Sequence, residues 1–310
     1  MLQPTMQAML VHGYGDIDQL ALGVVARPAP QEGEVLVRVH AAGVNPIDWK
    51  IRQGLRKQIL SMQFPYIPGM EIAGVVEEVG AGVTTLKVGQ AVYGRSKTGA
   101  YAEYAIAAEQ TLAAKPHTIS FDEAATVPVG ATTAWQGLFD TGKLEGGQRV
   151  LIQGAAGGVG LFAVQLASQR GARVIATTSG ANVEFVRSLG AETVIDYTRT
   201  NLVDEVQDVD CVFDTVGETL ETSLRVLKRG GILVALSGQP PVEQARERGV
   251  QVIATRTQIE SDLLKQLARL IDEGQLRTVI RATFPLSQTG QAHALGQQGH
   301  GRGRIVLHIA

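Results

Sequence analysis

The first third of the chain alternates apolar and polar positions in short runs. Segments such as 34–39 and 72–80 place apolar residues at close to every second position, and glycines and prolines separate the runs. A period of two is the pattern of strands that bury one face. The sequence therefore predicts short strands and turns throughout this region.

A helical passage follows these strands. Ser120 and Glu123 have the spacing of a capping box, in which a serine and a glutamate close the first turn of a helix. Pro128 and Gly130 are expected to break this helix, because proline lacks the N–H donor and glycine is unfavourable in a helix interior. A second helix is predicted from Thr132 through Leu138.

From Arg149 onward the pattern changes to strands that alternate with helices. This alternation is typical of a parallel sheet with crossover helices. Strands are predicted at 149–153, 173–177, 193–195, 209–213 and 232–236, and helices at 159–170, 218–228 and 261–273. The sequence therefore predicts a doubly wound α/β domain in this part of the chain.

The glycine-rich turn after the first of these strands predicts a nucleotide site. Ala155, Gly157 and Gly160 form an Ala-x-Gly-x-x-Gly version of the dinucleotide-binding fingerprint. Small residues let the backbone approach a pyrophosphate, while free N–H groups at the helix start face the phosphates. The predicted cofactor-binding residues of this turn are Ala155, Ala156, Gly157, Gly158, Val159 and Gly160. A tight turn in an unrelated α/β protein is the alternative.

The end of the second strand predicts which nucleotide binds. In NAD-binding proteins an acidic residue about twenty positions after the turn holds the ribose 2′-hydroxyl. This chain has Thr178 and Ser179 there, and no carboxylate between Gly171 and Val183. A 2′-phosphate would meet hydroxyl and backbone donors instead of a negative charge. The sequence therefore favours NADPH, with Thr178 and Ser179 among its ligands.

Composition and charge narrow the functional class. The 310 residues, 45% of them hydrophobic, suffice for two cores. The 28 basic and 30 acidic residues leave a net charge of -2 with no block of like charges, which gives no reason to expect nucleic acid or a membrane as a partner. No apolar run has the length of a signal peptide or a membrane span, and this predicts a cytoplasmic protein.

The cysteine and histidine content gives no sign of a metal site. The single cysteine, Cys211, lies in an apolar segment that is typical of a buried strand. The six histidines, at positions 12, 40, 117, 293, 300 and 308, lack the spacing of a ligand set and are interpreted as surface or packing residues.

Longer motifs make the chain resemble one enzyme family. They are 42–48 with Arg52 and Gly54, 68–74, 99–104, 153–160, 189–192 with 194–197, 213–217 and 301–307. Through them the chain is similar, nearly from end to end, to the zinc-independent quinone oxidoreductases of the medium-chain dehydrogenase/reductase superfamily. The resemblance implies a GroES-like, partly open β-barrel domain over 1–130, completed by 274–310, and a Rossmann domain that binds NADPH over 131–273.

The resemblance also implies roles for individual side chains. Asn45 and Thr132 match positions at the nicotinamide end of the cofactor, where an amide and a hydroxyl bond the ribose or orient the ring. Asn45 is equally typical of a turn before proline, and Thr132 of a helix start. Further implied cofactor contacts come from Tyr197, Val216, Ser237 and Arg304.

Four positions depart from the patterns of related enzymes. Zinc-dependent relatives carry a cysteine near Asn45 and a histidine at Met70, and an amide and a thioether are poor zinc ligands, so we expect no metal. A tyrosine near the substrate in some members is replaced by Lys50, which either polarises an oxyanion or points into water. A lysine that binds the 2′-phosphate in many members is replaced by Asn182.

The resemblance predicts a function with open alternatives. Without a metal, the easiest chemistry is hydride transfer from NADPH to an acceptor that needs little activation, and a quinone is the leading expectation. A reductase of alkenal or enone double bonds uses the same hydride geometry, and a non-catalytic NADPH-binding redox sensor would keep the glycine turn without turnover. The family also implies a homodimer, joined through edge strands of the cofactor domain.

Overall fold

The structure is a computed structural model that describes residues 4–299 and 301–310. His300, one of the six histidines considered above, lies outside the described residues. The chain forms two compact units. The first contains the chain up to Pro128 together with Ile259–Gly274 and Thr278–Ala310, and the second contains Val129–Gln258 and Gln275–Arg277.

Strands and helices are numbered in chain order. The strands are β1 (Thr5–Val11), β2 (Leu20–Ala26), β3 (Glu34–Val44), β4 (Glu71–Val79), β5 (Ala91–Arg95), β6 (Tyr104–Ala108), β7 (Leu112–Ala114), β8 (Arg149–Gln153), β9 (Arg173–Thr178), β10 (Thr193–Asp196), β11 (Val209–Asp214), β12 (Leu227–Ala235), β13 (Gln251–Ala254), β14 (Ile280–Pro285) and β15 (Arg304–His308). The helices are α1 (Pro46–Arg52), α2 (Phe121–Ala124), α3 (Val127–Trp135), α4 (Gly160–Gln169), α5 (Val183–Ser188), α6 (Leu202–Glu205), α7 (Leu220–Val226), α8 (Val242–Arg248), α9 (Ser261–Asp272) and α10 (Thr289–Gln297).

The first unit is built on short, mostly antiparallel strands, as the alternating pattern predicts. Its seven-stranded sheet has the order β14-β15-β3-β4-β5-β7, with β6 also paired to β3, and β1 and β2 form a separate pair. The inward side chains of the sheet form one apolar cluster that includes Val35, Val37, Val76 and Val92. The C-terminal strand β15 joins this sheet by pairing with β3 on one side and β14 on the other.

The second unit is a six-stranded parallel sheet with the order β10-β9-β8-β11-β12-β13. The chain starts at the central β8, runs outward through β9 and β10, and then returns to build the other half from β11. The doubly wound sheet expected from the sequence is therefore confirmed. In such sheets ligands bind beyond the carboxyl ends of the strands where the order reverses, which is here between β8 and β11.

Local pattern predicted most elements of this unit to within two residues at each end, and it was least accurate for β12, which was predicted at 232–236. The predicted bounds of β8 are confirmed, and β9, β10 and β11 each extend one residue further than predicted. The helix α7 is shorter than predicted because β12 begins at Leu227, where the strand pairs with Val209. Cys211 is buried in β11, as predicted from its apolar neighbours.

The predicted break at Pro128 and Gly130 is wrong. Both residues lie inside α3, which continues as a π-helical turn over Gln136–Thr141. Pro128 is the second residue of α3, where the missing N–H donor would have no partner in the helix. A Cβ added at Gly130 would lie 2.7 Å from the carbonyl oxygen of Gly158, so this glycine allows close packing on the glycine-rich turn.

The helix α9 groups with the first unit, although the sequence places it in the second domain. The hydroxyl of Tyr93 in β5 donates to the carbonyl oxygen of Leu264 in α9 at 2.6 Å, and both residues are buried. Hydrophobic periodicity predicts that α9 has an apolar face, but it carries no information about which sheet covers that face.

Among the described residues, no helix combines the length and apolar character needed to cross a bilayer.

Candidate functional site

The glycine-rich turn links β8 to α4 at the point where the sheet order reverses. Gly154 leaves the strand with a φ of 71°, a conformation that glycine adopts without strain. A Cβ added at Gly160 would lie 2.2 Å from the carbonyl oxygen of Gly154. Gly160 is therefore required by the packing of α4 against the turn.

Gly157 has a different reason to be glycine. Its φ is not positive, and an added Cβ would meet only the carbonyl oxygen of Gly154, at 3.2 Å. The fold alone makes a weak demand for glycine here, so the small residue is explained by space for a ligand. In the described part of the chain, the backbone N–H groups of Ala156, Gly158 and Val159 donate to no other backbone group. Such free amides before a helix form an anion site.

A polar network that the sequence did not reveal supports this turn. The buried carboxylate of Asp214, at the end of β11, accepts hydrogen bonds from the N–H groups of Val216 and Gly217 at 2.9 Å each. Thr219 also donates to it, at 2.6 Å. In the sequence, an aspartate that ends a strand and precedes Thr-x-Gly is the signal that would have identified the turn after β11. Asp214 thereby fixes the loop after β11.

The structure brings Val216 and Ser237 together beside that loop. The hydroxyl of Ser237 donates to the carbonyl oxygen of Val216 at 2.9 Å, and the Val216 side chain is exposed. Both residues follow the carboxyl ends of neighbouring strands, β11 and β12, on one side of the switch point. They are therefore placed at the edge of the sheet where a ligand of the glycine turn would extend.

The end of β9 holds the residues predicted to choose the nucleotide. Thr178 is buried, Ser179 is half-buried, and the amide of Asn182 donates to the Ser179 hydroxyl at 3.2 Å. Tyr197 is exposed and lies next to this strand end, since its N–H donates to the Thr178 carbonyl oxygen at 3.2 Å. Arg187, on the following helix α5, is paired with Glu184 and does not supply the charge of the missing lysine.

A carboxylate does approach this strand end, and it comes from the neighbouring strand. Asp196 in β10 is level with Thr178, and its Oδ2 lies 2.7 Å from where a Cβ of Gly180 would be. Hydrogen bonds from Thr198 lower the pKa of Asp196, with smaller contributions from Arg199 and the Gly180 backbone. The sequence analysis considered only residues close to Thr178 along the chain. It missed Asp196 because the parallel pairing of β10 with β9 brings this residue to the strand end.

Thr132 lies within α3 and does not start a helix, so that alternative is wrong. Its side chain is fully buried, and its Oγ1 has no hydrogen-bond partner among the described residues. A buried hydroxyl without a partner is costly, and ligands commonly satisfy such groups. Thr132 is therefore available to a bound molecule in the second unit.

Asn45 is both the residue before α1 and part of a buried cluster in the first unit. Its backbone N–H donates to Asp48 at 2.8 Å, which closes the first turn of α1. Its side-chain Nδ2 donates to Oε2 of Glu71 in β4 at 2.6 Å. Arg304 in β15 forms a buried ion pair with the same Glu71 oxygen. Because Nδ2 is fixed on Glu71, the amide is held in one orientation.

Asp48 is a second buried carboxyl group in this cluster, and sequence reasoning did not select it. Complete burial raises its pKa to about 7, against the hydrogen bonds from the Asn45 N–H and the Tyr101 hydroxyl that stabilise the anion. Tyr101 donates at 2.8 Å, and its own pKa is raised by burial and by Asp48. The cluster thus contains an acid that titrates near neutral pH.

Lys50 is half-buried on α1, two residues after Asp48. Its neighbour Trp49 contacts His293 of α10, with ring centroids 6.2 Å apart. His293 is fully buried, and desolvation lowers its pKa to about 3, so the ring is neutral at physiological pH. His293 is therefore a packing residue, as expected. Across the described residues, no group of three or more His, Cys, Asp or Glu side chains is arranged to hold a metal ion.

The predicted site residues thus form one set in each unit. Asn45, Lys50 and Arg304 lie in the first unit, where Asn45 and Arg304 meet on Glu71. The remaining residues lie in the second unit, at the carboxyl end of its parallel sheet or, for Thr132, in α3. The second unit offers an anion site and hydroxyl donors, which suit a phosphorylated cofactor, and the first unit separately offers a fixed amide.

Two family models match the chain. One, described as the alcohol dehydrogenase GroES-like domain, matches residues 31–117. The other, described as a zinc-binding dehydrogenase, matches residues 189–307. The first match covers β3 to β7 of the first unit, and the second covers the chain from β10 to β15. The expected GroES-like domain is thereby confirmed.

Individual relatives extend the similarity over the whole chain. An NADPH-dependent alkenal/one oxidoreductase from Arabidopsis thaliana is 36% identical over 319 residues, which span 98% of this chain and 79% of the relative. A quinone oxidoreductase from Mus musculus is 32% identical and 98% of each chain is covered. The solved structure of a quinone oxidoreductase from Coxiella burnetii superposes with a TM-score of 0.91 at 33% identity, covering 99% of this chain and all of that one (100%).

Proposed function

The chain belongs to the quinone oxidoreductase family of the medium-chain dehydrogenase/reductase superfamily, and on this basis we propose that it is an NADPH-dependent reductase of quinone-type acceptors. The observation that carries the proposal is the turn before α4, where free amides stand at the switch point of a doubly wound sheet. The relatives named above are oxidoreductases, and one of them is named as NADPH-dependent.

The residues of the second unit fit NADPH. Gly157 leaves room for close approach of the pyrophosphate, because among the described residues a Cβ there would meet only the carbonyl oxygen of Gly154, at 3.2 Å. Thr132 offers a buried hydroxyl that lacks a protein partner. When bound, NADPH supplies a hydride, and the protein holds donor and acceptor in position and excludes water. We assign the turn, Val216 and Ser237 to the cofactor.

We assign the 2′-phosphate to the end of β9. Thr178, Ser179 and Tyr197 offer hydroxyl groups, and β9 itself ends without a carboxylate. Hydrogen bonds from Thr198 and the Gly180 backbone lower the pKa of the nearby Asp196 and keep it negatively charged, which opposes a phosphate here. Because Asn182 supplies no positive charge, the expected preference for NADPH over NADH is moderate.

In the first unit we propose that Asn45 orients the nicotinamide end of the cofactor. With Nδ2 donating to Glu71, the other polar atom of the Asn45 amide is the acceptor Oδ1, which suits a ribose hydroxyl. Arg304 pairs with Glu71, and in this proposal it acts on the cofactor through that pair. Lys50 is proposed to stabilise the negative charge that develops on the acceptor oxygen.

We propose that the reaction needs no metal. The position equivalent to a zinc-binding cysteine is an asparagine that is already committed to Glu71, and Met70 stands where a histidine would be. An amide and a thioether are poor ligands for zinc. This proposal is testable against the family model described as zinc-binding, because elemental analysis of the purified protein measures its zinc content directly.

Reduction of an alkenal or enone double bond is the second candidate function. It is favoured by the name of one relative, an alkenal/one oxidoreductase with 36% identity. A third candidate, an NADPH-binding sensor without turnover, would use the same turn.

We further propose a cytoplasmic homodimer that pairs through an edge strand of the second unit, such as β13. The buried, unpaired Cys211 is compatible with a reducing compartment.

A panel of acceptors tests these functions. Oxidation of NADPH and NADH is followed with benzoquinone, naphthoquinone and simple enones, and the organic product is identified. We expect quinones to give the higher kcat/KM, with NADPH preferred. Faster reduction of enones would favour the second candidate. Tight NADPH binding without turnover on any acceptor would favour the third candidate, an NADPH-binding sensor.

A further inference from the structure

Exposed apolar side chains are concentrated in one segment of the first unit. Of the twelve large hydrophobic residues that are exposed in the described structure, four fall within Leu55–Phe64. Ile59 is the most exposed of them at 78%, and Leu55 is 68% exposed. Single exposed apolar residues are ordinary, but a cluster of them marks an interaction surface. We call residues 55–64 the apolar segment.

The apolar segment is ordered by its own backbone. The N–H groups of Ile59 and Leu60 both donate to the carbonyl oxygen of Arg56, at 3.0 and 2.8 Å. The segment therefore makes a helical turn, and Leu55 and Ile59, four residues apart, lie on the same side of it. The far end is held where the N–H of Met62 donates to the Tyr14 hydroxyl at 3.0 Å. This turn presents its apolar side chains to solvent.

Positive charge surrounds these side chains. The sequence from Trp49 to Met70 contains four basic residues and no acidic one. Of the four, Arg52 is buried, which leaves Lys50, Arg56 and Lys57 on or near the surface. None of these three forms an ion pair with any residue that the structure describes. The chain as a whole is close to neutral, so this concentration of charge is local.

We propose that the apolar segment docks on the surface of an anionic lipid bilayer. Apolar side chains flanked by unpaired cations are the combination that lets a segment enter the headgroup region while its charges meet anionic lipids. The near-neutral balance of the whole chain argued against a membrane partner, but the charge next to the inserted side chains decides this interaction. If the proposed function holds, docking brings the enzyme to acceptors that dissolve in lipid.

Vesicle sedimentation tests the proposal on the whole protein, and it requires no enzyme activity. Vesicles of phosphatidylcholine are compared with vesicles that also contain phosphatidylglycerol. We expect the protein to sediment with the anionic vesicles, and added salt to weaken the association. In the variant Leu55→Ser/Ile59→Ser the partition coefficient should fall about tenfold or more, since two exposed apolar side chains are removed. Lys57→Glu should also reduce it.

The matched control is Val24→Ser/Val88→Ser, which removes two apolar side chains of similar exposure, 69% and 60%, outside the segment. This variant should bind the vesicles like the unaltered protein, and all variants should melt at the same temperature. The proposal is overturned if the unaltered protein does not sediment with anionic vesicles, or if the control loses binding equally. A change of oligomeric mass in Leu55→Ser/Ile59→Ser, with vesicle binding intact, would instead assign the segment to contacts between copies.

Discussion

Two glycines of one turn are present for different physical reasons. A Cβ at Gly160 would collide with the carbonyl oxygen of Gly154 at 2.2 Å, whereas a Cβ at Gly157 would need that oxygen, at 3.2 Å, to move by only a few tenths of an ångström. We predict that Gly157→Val weakens NADPH binding about tenfold or more while the melting temperature is unchanged, because the new side chain occupies ligand space. Titration calorimetry and thermal melting measure the two effects.

We predict that Gly160→Val, in the same turn, affects the stability of the fold. It should lower the free energy of unfolding by roughly 1–3 kcal/mol, because the side chain overpacks a backbone contact. If Gly157→Val were the unstable variant and bound NADPH normally, the assignment of the two glycines would be wrong.

Asp48 gives the first unit a specific pH dependence. Burial raises its pKa to about 7, so the folded protein binds a proton that the unfolded chain has released above about pH 4. The Asp48 contribution to stability is therefore fully present at low pH and is lost as the pH rises from about 4 to 7, by a few kcal/mol in order of magnitude.

Comparison with Asp48→Asn isolates this contribution. The difference in free energy of unfolding between the unaltered protein and Asp48→Asn should shift in favour of Asn as the pH is raised from 5 to 8, approximately. Because His293 is present in both proteins, its own titration cancels. A difference that is constant with pH would contradict the raised pKa.

For single residues, the sequence predicted the features that depend only on neighbours along the chain. The glycine turn and the capping box of Ser120 and Glu123 are local, and the structure places both where the sequence expected them. Asp196 and Glu71 were missed because strand pairing brings them to the site from distant positions. The orientation of the Asn45 amide follows from Glu71 and was equally invisible in the sequence.

At the scale of elements, β4 and β15 are joined by the buried pair of Glu71 and Arg304. Their side chains are 0% and 3% exposed, so removing one partner leaves an uncompensated charge. We predict that Arg304→Met lowers the free energy of unfolding by about 3–5 kcal/mol. Urea unfolding of the purified variant measures this loss.

A double variant separates an unpaired charge from a loss of packing. In Arg304→Met/Glu71→Gln the charge is gone, and the Gln side chain retains an oxygen that accepts from Asn45. This variant should recover most of the stability lost in Arg304→Met. If the double variant is as unstable as the single one, the pair is not held by charge compensation.

Periodicity predicted the existence of most elements, and packing decided their limits. The strand β8 has the expected bounds because its apolar run ends at a glycine turn. By contrast, α3 passes through Pro128 and Gly130, since proline is harmless in a first turn and the glycine is needed for close packing. The grouping of α9 with the first unit depends on a contact with Tyr93 that no local pattern contains.

At the scale of the whole molecule, composition gave no reason to expect nucleic acid as a partner, and it could not locate the apolar segment. A net charge of -2 averages over positions, whereas residues 49–70 contain four basic side chains and no acidic one. Family membership and the doubly wound sheet were predicted from motifs spread along the chain, because each motif requires its own local backbone. The choice of acceptor depends on side chains that the sequence does not order in space.

Metal content is the fourth prediction. The proposed reaction uses no zinc, since Asn45 and Met70 occupy the positions where zinc-dependent relatives have ligands. We expect elemental analysis to find zinc far below one equivalent, and a chelator to leave the rate of NADPH oxidation unchanged. Stoichiometric zinc that is lost together with activity would contradict this account of the site.

The central claim is that a nucleotide bound at the Ala155–Gly160 turn delivers its hydride to a quinone, and a single-turnover experiment tests it most directly. Protein premixed with one equivalent of NADPH is mixed rapidly with naphthoquinone while the absorbance of the dihydronicotinamide is recorded. The account predicts a rapid loss of absorbance that is slower with NADH and absent in Gly157→Val. No loss with NADPH, or an undiminished loss in Gly157→Val, would contradict it.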